Sequence, residues 1–220
     1  MEPDPPPTAP ETIARRRTTR RFATDRPLSD DLLTRTLRLA TFAPSGYNLQ
    51  PWRFLVVRGA TNRRKLRGCA FNQPVISEAP VVIVVLGYLT PDRSHLGAVV
   101  DTMRSLGAVT PGAAAELSAR ASRAMGRVPD RAIWATRPAM LAAATLMIAA
   151  ESLGVASAWV EGFDPLEIKD AFGVPDDHTV CGLVALGFAA EVAHFPGRLG
   201  LSDVCYEEHF GQPWGAGDGG

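Results

Sequence analysis

The run Val81-Val82-Ile83-Val84-Val85-Leu86-Gly87-Tyr88 constrains the architecture more than any other part of this chain. A strand sends alternate side chains to opposite faces, so a strand apolar at every position is buried on both. It therefore belongs in the middle of a sheet. The pattern over Pro138 to Leu153 complements it. Leu141, Ala144, Leu146, Met147, Ile148 and Ala150 leave that predicted helix apolar nearly all round, as in a helix enclosed by a core or trapped between subunits. Gly154 follows as its C-terminal cap.

Around these two segments the chain reads as short helices and strands. Helices are expected over Thr12 to Arg20, from Ser29 through the stripe Leu32, Leu33, Thr36, Leu37 and Ala40, over Thr61 to Gly68, and from Pro165 to Gly173. Strands are expected at Phe54 to Val57, Val155 to Val160 and Thr179 to Phe188, with Gly182 and Gly187 marking bulges or close backbone approach. The stretch from Pro91 to Arg131 reads as one or two surface helices. Helices and strands are mixed rather than strictly alternating, which favours an α+β fold. One domain over residues 12–213 is expected, between a disordered Pro-rich tail (1–11) and a flexible Gly-rich tail (214–220).

Composition removes several classes. Lys and Arg number 23 and Asp and Glu 23, so the net charge is zero and no basic field for nucleic acid exists. Cys69, Cys181 and Cys205 form no Cys-x-x-Cys pair, which argues against zinc and disulfides and for a reducing cytoplasm. His95, His178, His194 and His209 are scattered and show no metal-ligand spacing. The charge-free run Pro138 to Ala150 falls short of the roughly 20 residues that a bilayer requires, so no membrane span is expected. Gly-x-Gly-x-x-Gly, Walker and Gly-x-Ser-x-Gly motifs are missing.

Two segments carry chemistry. Arg15-Arg16-Arg17-Thr18-Thr19-Arg20-Arg21 is dense in guanidinium, which grips phosphate bidentately. A solvated basic helix is the plain alternative. Ala43-Pro44-Ser45-Gly46-Tyr47-Asn48-Leu49-Gln50-Pro51-Trp52 is poor helix and poor strand. Gly46 permits a positive φ and close approach to a ligand, and Ser45, Asn48 and Gln50 offer donors and acceptors for the edge of a heterocycle. A capped surface loop would read the same way.

Four stretches in order resemble the nitroreductase family of flavin enzymes: Arg16 to Phe22, Ala43 to Trp52, Gly154 to Asp164, and Ala185 to Phe188 followed by Pro196-Gly197-Arg198. The resemblance spans Thr12 to Pro213. It implies a mainly antiparallel sheet flanked by helices, a homodimer with the long helix at its interface, and FMN as cofactor with NAD(P)H as electron donor. It implies that Arg16, Thr18 and Arg198 hold the FMN phosphate and that Arg17 contacts the phosphate or ribityl chain. Arg20 would lie near N1 and O2 of the ring, where a cation favours the reduced form. Pro44, Ser45, Gly46 and Asn48 would reach the flavin across the dimer interface. Asn72 would face the pyrimidine edge, and the backbone of Glu161 and Gly162 would donate to N5. Tyr47 falls at a variable position facing substrate. The chain departs from the family in having Thr18 in place of serine, and His194 near a position where some members have lysine.

The function so implied is a cytoplasmic, ping-pong transfer of two electrons from NAD(P)H to an electron-poor acceptor such as a nitroaromatic or quinone. The other readings are an oxygen-dependent or dehalogenating flavoenzyme of the same family, a flavin-binding protein without turnover, and an anion- or nucleic-acid-binding regulator using the arginines alone.

Overall fold

The computed structural model describes residues 7–215. Its centre is a four-stranded sheet in the order β1-β2-β4-β3, antiparallel throughout. The strands are β1 (Trp52–Val57), β2 (Val81–Tyr88), β3 (Ala156–Val160) and β4 (His178–Gly187). The apolar run at 81–88 is an inner strand, as its pattern demands. Val82, Val84 and Leu86 face one layer, and Val81, Ile83 and Val85 the other. A register shift after Val85 lets Val85 pair with Gly182 and Leu86 with Val180, so Cys181 is the extra residue of a bulge.

Three helices cover the first face: α3 (Ala60–Cys69), α4 (Pro74–Glu78) and α9 (Pro165–Phe172), through Leu66, Ile76 and Ile168. Helix α9 starts where Asp164 accepts from the backbone N–H groups of Leu166 and Glu167, and ends on Gly173 at φ 64°. The second face is covered by α2 (Asp30–Ala40) and α8 (Arg131–Ser152). Ser29 caps α2 through the Leu32 N–H, as its sequence implies.

Helix α8 begins seven residues before the expected Pro138. Asp130 caps it by accepting from Ile133 N at 2.9 Å, and Pro138 lies inside. A proline there removes one helical hydrogen bond, a cost offset by burial of the ring on the sheet side. Ala135, Ala139, Ala142, Ala143, Leu146 and Ala150 are buried, whereas Met140, Leu141 and Ile148 on the opposite side are exposed. By length and composition α8 alone among the described helices could cross a membrane, but its alanine face packs on the sheet.

The region after β2 holds three helices where one or two were expected: α5 (Pro91–Ser94), α6 (Leu96–Ser105) and α7 (Pro111–Gly126). They enclose a separate core of Leu96, Val100, Ala114, Ala121 and Met125, joined by Leu49 from the loop before β1. Arg131 fastens this unit to α8 by a fork on Asp92 (2.7 and 3.3 Å) and a bond to Leu89 O.

The N-terminal helix is shifted from its expected place. It runs over Ala9–Arg15 (α1), not Thr12 to Arg20, because a capping box between Thr8 and Glu11 starts it early. Residues 9–11 are thus helical rather than part of a disordered tail; residues 1–6 and 216–220 lie outside the described residues. Beyond Arg15 the chain is extended, bridging β3 in parallel through Thr18 and Ser157. Two β-branched threonines among the arginines suit that conformation better than a helix.

Candidate active site

The extended course of residues 16–21 sorts the arginine cluster. Thr19 N–H donates to Ser157 O at 3.0 Å, so this segment runs along the outer edge of β3. Thr18, Thr19, Arg20 and Arg21 line a cavity of about 500 Å³, together with Gln73, Glu78, Trp159 and Val160. Arg17 instead lines a second cavity with Arg15, Arg26 and Phe188. Its Nη1 donates to Ala14 O at 2.7 Å. The expected grouping of Arg17 with Thr18 and Arg20 is therefore not found within one cavity.

Glu78 holds the far end of this segment. Its carboxylate accepts from Arg21 Nε at 3.2 Å and from Phe22 N–H at 3.3 Å. Arg15 is similarly engaged by Glu151 at 3.1 Å. Arg16, Arg20 and Arg198, by contrast, form no ion pair among the described residues. The chain's two ends do meet: the Phe195 ring takes the Arg17 guanidinium at 4.5 Å and that of Arg198 at 5.3 Å.

The cavity's inner wall is the edge of β3. Ser157 directs its carbonyl outward to Thr19, and in an antiparallel strand the residue two further on has the same orientation. The backbone N–H and C=O of Trp159 therefore face out along this edge. The Trp159 ring lies over Gly182, where an added Cβ would be 2.1 Å from the indole. Its Nε1 donates to Glu161 Oε1 at 2.9 Å. Gly162 is fixed by Gln73, whose Nε2 donates to its carbonyl at 2.7 Å. Asn72 is exposed beside it, with φ 58° and its carbonyl accepting from Arg67 Nε at 2.9 Å. Gln73, not Asn72, is the amide that lines the cavity.

The loop bearing Pro44, Ser45, Gly46, Tyr47 and Asn48 precedes β1, at the opposite edge of the sheet from β3. Three strand spacings separate the two edges, roughly 14 Å. Within one chain these residues do not join Thr18 and Arg20. Ser45 Oγ accepts from Gln50 N–H at 2.9 Å and closes the loop. The positive φ expected at Gly46 falls instead on Tyr47 (55°), Asn48 (54°) and Gln50 (45°). Tyr47 packs on the core of α6 and α7. Among the described residues no cluster of His, Cys, Asp and Glu has the geometry of a metal site.

The family model described as Nitroreductase family matches residues 13–188, a span holding both the arginine segment and the β3 edge. The chain belongs to the nitroreductase family. A Thermus thermophilus protein named NADH dehydrogenase is 36% identical over 190 residues, covering 86% of this chain and 91% of its own length. A Bacillus subtilis protein named as an NAD(P)H nitroreductase, YodC, is 30% identical over 205 residues, covering 88% of this chain and 96% of its own. A local match to the iodotyrosine deiodinase of Thermotoga neapolitana reaches 43% identity over 53 residues, 24% of this chain. Among solved structures, an Exiguobacterium sibiricum nitroreductase in complex with FMN superposes with a TM-score of 0.86 at 26% identity, covering 92% of this chain and 98% of its own.

For a nitroreductase-family chain, the polar cavity residues Gln73 and Glu78 escape a reading by motif. Helix α4, which carries Glu78 and follows Gln73, is only five residues long and has no helical periodicity to announce it. The signal for Trp159 was Gly182, a glycine in a strand interior that makes room for a large cross-strand neighbour.

Proposed function

We propose that this oxidoreductase of the nitroreductase family moves two electrons from NAD(P)H to an electron-poor small molecule, a nitroaromatic or quinone, using FMN in a ping-pong cycle. The observation that carries this reading is Arg20, a cation without a carboxylate partner, lining a cavity walled by an open strand edge. The volume of about 500 Å³ suits a flat heterocycle, since ligand pockets fall in the range of about 300–1,000 Å³. The unpaired guanidiniums suit a phosphate. When bound, FMN would supply two-electron redox chemistry between the nicotinamide and the acceptor.

The chain's own groups do the rest. Arg16, Thr18 and Arg198 would hold the phosphate, and Arg17 would contact the phosphate or ribityl chain after leaving its bond to Ala14 O. Arg20 places a fixed positive charge at the ring edge, which favours the more negative redox state. The backbone at Glu161 and Gly162, braced by Gln73, presents its polar groups toward the ring, and Asn72 borders it. Glu161 is engaged by the Trp159 indole, which suits an electrostatic rather than an acid role.

The fourth wall comes from a second copy. Pro44, Ser45, Gly46 and Asn48 lie at the wrong edge of the sheet to serve their own chain's cavity. The uncovered apolar side of α8, with Leu141 49% and nearby Phe42 78% exposed, offers the surface for a homodimer. The three free cysteines accord with a cytoplasmic setting.

The test is steady-state oxidation of NADH and NADPH by purified protein supplied with FMN, against nitroarenes, quinones and halogenated phenols. Turnover with the first two classes supports the proposal. Turnover confined to halogenated phenols favours the dehalogenating reading, to which the deiodinase match gives its one specific support. Bound flavin with no turnover of any acceptor marks a flavin-binding protein.

A further inference from the structure

The loop before β1 is gripped from behind by the α5–α7 unit, and His95 is the point of attachment. This residue lies between α5 and α6. Its Nε2 is hydrogen-bonded to the Leu49 carbonyl, and its Nδ1 is 3.1 Å from Ser94 Oγ. A carbonyl only accepts, so Nε2 is the donor. The ring also stacks on Tyr88 with centroids 5.9 Å apart. Partners on three sides thus fix the imidazole.

The loop itself needs holding. Tyr47, Asn48 and Gln50 all have positive φ, a conformation that side-chain-bearing residues resist and that persists only where the surroundings impose it. Two anchors do so. The Leu49 side chain is wholly buried in the helical core, and the Leu49 carbonyl is held by His95. Between the loop and α6 lies a cavity of about 320 Å³ bordered by Asn48, Gln50, His95 and Thr102, space into which a released loop can relax.

We infer that His95 is a positioning residue: through the Leu49 carbonyl it keeps Ser45 to Gln50 in the one conformation that presents Asn48 to a flavin. The role toward flavin rests on the FMN reading above; the clasp itself does not. It makes α5–α7 and the loop a single unit, so a change in these helices alters the flavin environment without touching it.

The experiment compares full-length wild type with His95→Phe, His95→Gln and Tyr88→Leu. Phe keeps the ring but has no donor, Gln keeps a donor, and Tyr88→Leu removes the stack while leaving the donor. Hydrogen exchange on flavin-free protein reads the amides of Asn48, Leu49 and Gln50, and FMN titration by absorbance reads the Kd. In His95→Phe the loop amides should exchange at least tenfold faster and the Kd should rise about tenfold, about 1.4 kcal/mol. His95→Gln should return both to within about threefold of wild type, and Tyr88→Leu should loosen the loop in the same direction by less. Wild-type exchange in a folded His95→Phe overturns the clasp. If that variant does not fold, unchanged exchange in Tyr88→Leu overturns it. Wild type that takes up no FMN refutes the flavin reading, while the exchange data still judge the clasp. Wild type that binds FMN beside an unaltered Kd in His95→Phe refutes the flavin role of His95 alone.

Discussion

Adding one methyl group at Gly182 should lower stability, because the Trp159 indole occupies the space it needs. A Cβ there would be 2.1 Å from Cη2 and 2.3 Å from Cζ2 of the ring. Carbon atoms rest about 3.5–4.0 Å apart, so the indole must withdraw by roughly 1.5 Å. The ring cannot swing freely, since Nε1 is bonded to Glu161 at 2.9 Å and its body packs on the second core layer. Overpacking of this kind costs about 1–3 kcal/mol. In a chain of this size each kcal/mol lowers Tm by about 2–4 °C, so a midpoint cost of about 2 kcal/mol predicts a fall of roughly 4–8 °C. Calorimetry on Gly182→Ala, Trp159→Leu and the double variant isolates the cause. Removing the indole should make the added methyl harmless, giving a coupling of about 1–2 kcal/mol. Gly97→Ala is the control: it lies in α6 with nothing within 4 Å of the new atom and should gain about 0.5–1 kcal/mol. A Gly182→Ala protein that melts with wild type, or a cycle additive within about 0.5 kcal/mol, would show that the new methyl and the indole do not compete for space.

Replacing Glu78 with Ala frees Arg21 and the Phe22 N–H together, and should cost about 1–2 kcal/mol in denaturant titration while loosening the cavity rim. Burial raises the Cys181 thiol from an ordinary value near 9 to about 11. Between those values the unfolded chain loses the proton and the native chain keeps it, so stability should be full below pH 9 and should fall by about 2 kcal/mol as pH rises toward 11. Melting of wild type and Cys181→Ala at pH 8 and pH 10.5 tests this, the variant showing the shallower decline. Phe42→Asp puts a charge on the uncovered apolar surface beside α8, and should convert a dimer to a monomer by light scattering at micromolar concentration.

Most of the fold was legible wherever a local pattern had one physical solution. The 81–88 run could only be an inner strand. Ser29, Asp164 and Gly173 marked helix ends by hydrogen-bonding chemistry that the structure reproduces. Legibility failed where a distant partner decided the outcome. The arginine cluster looked helical on its own, but Ser157, more than a hundred residues away, draws Thr19 into an extended edge pairing. Pro138 looked like a helix start because proline is tolerated there, yet Asp130 had already nucleated the helix and the sheet buries the ring. Gly46 looked like the flexible residue of its loop, but the anchors at Leu49 and His95 impose positive φ on its neighbours instead. For the site, Thr18 and Arg20, which the motifs single out, line the cavity, whereas Gln73 and Glu78, which also line it, lie on a turn and a short helix without periodicity.

If Arg16 and Arg20, which have no carboxylate partner, hold FMN beside the β3 edge, their loss must weaken its binding selectively. Titration of flavin-free protein with FMN tests it most directly, read by the visible spectrum in wild type, Arg16→Ala, Arg20→Ala and the already paired Arg15→Ala. Saturation at one FMN per chain is expected, with a Kd raised about tenfold or more by loss of Arg16 or Arg20 and little changed by loss of Arg15. Absence of saturable binding in wild type, or equal losses at all three arginines, would contradict it.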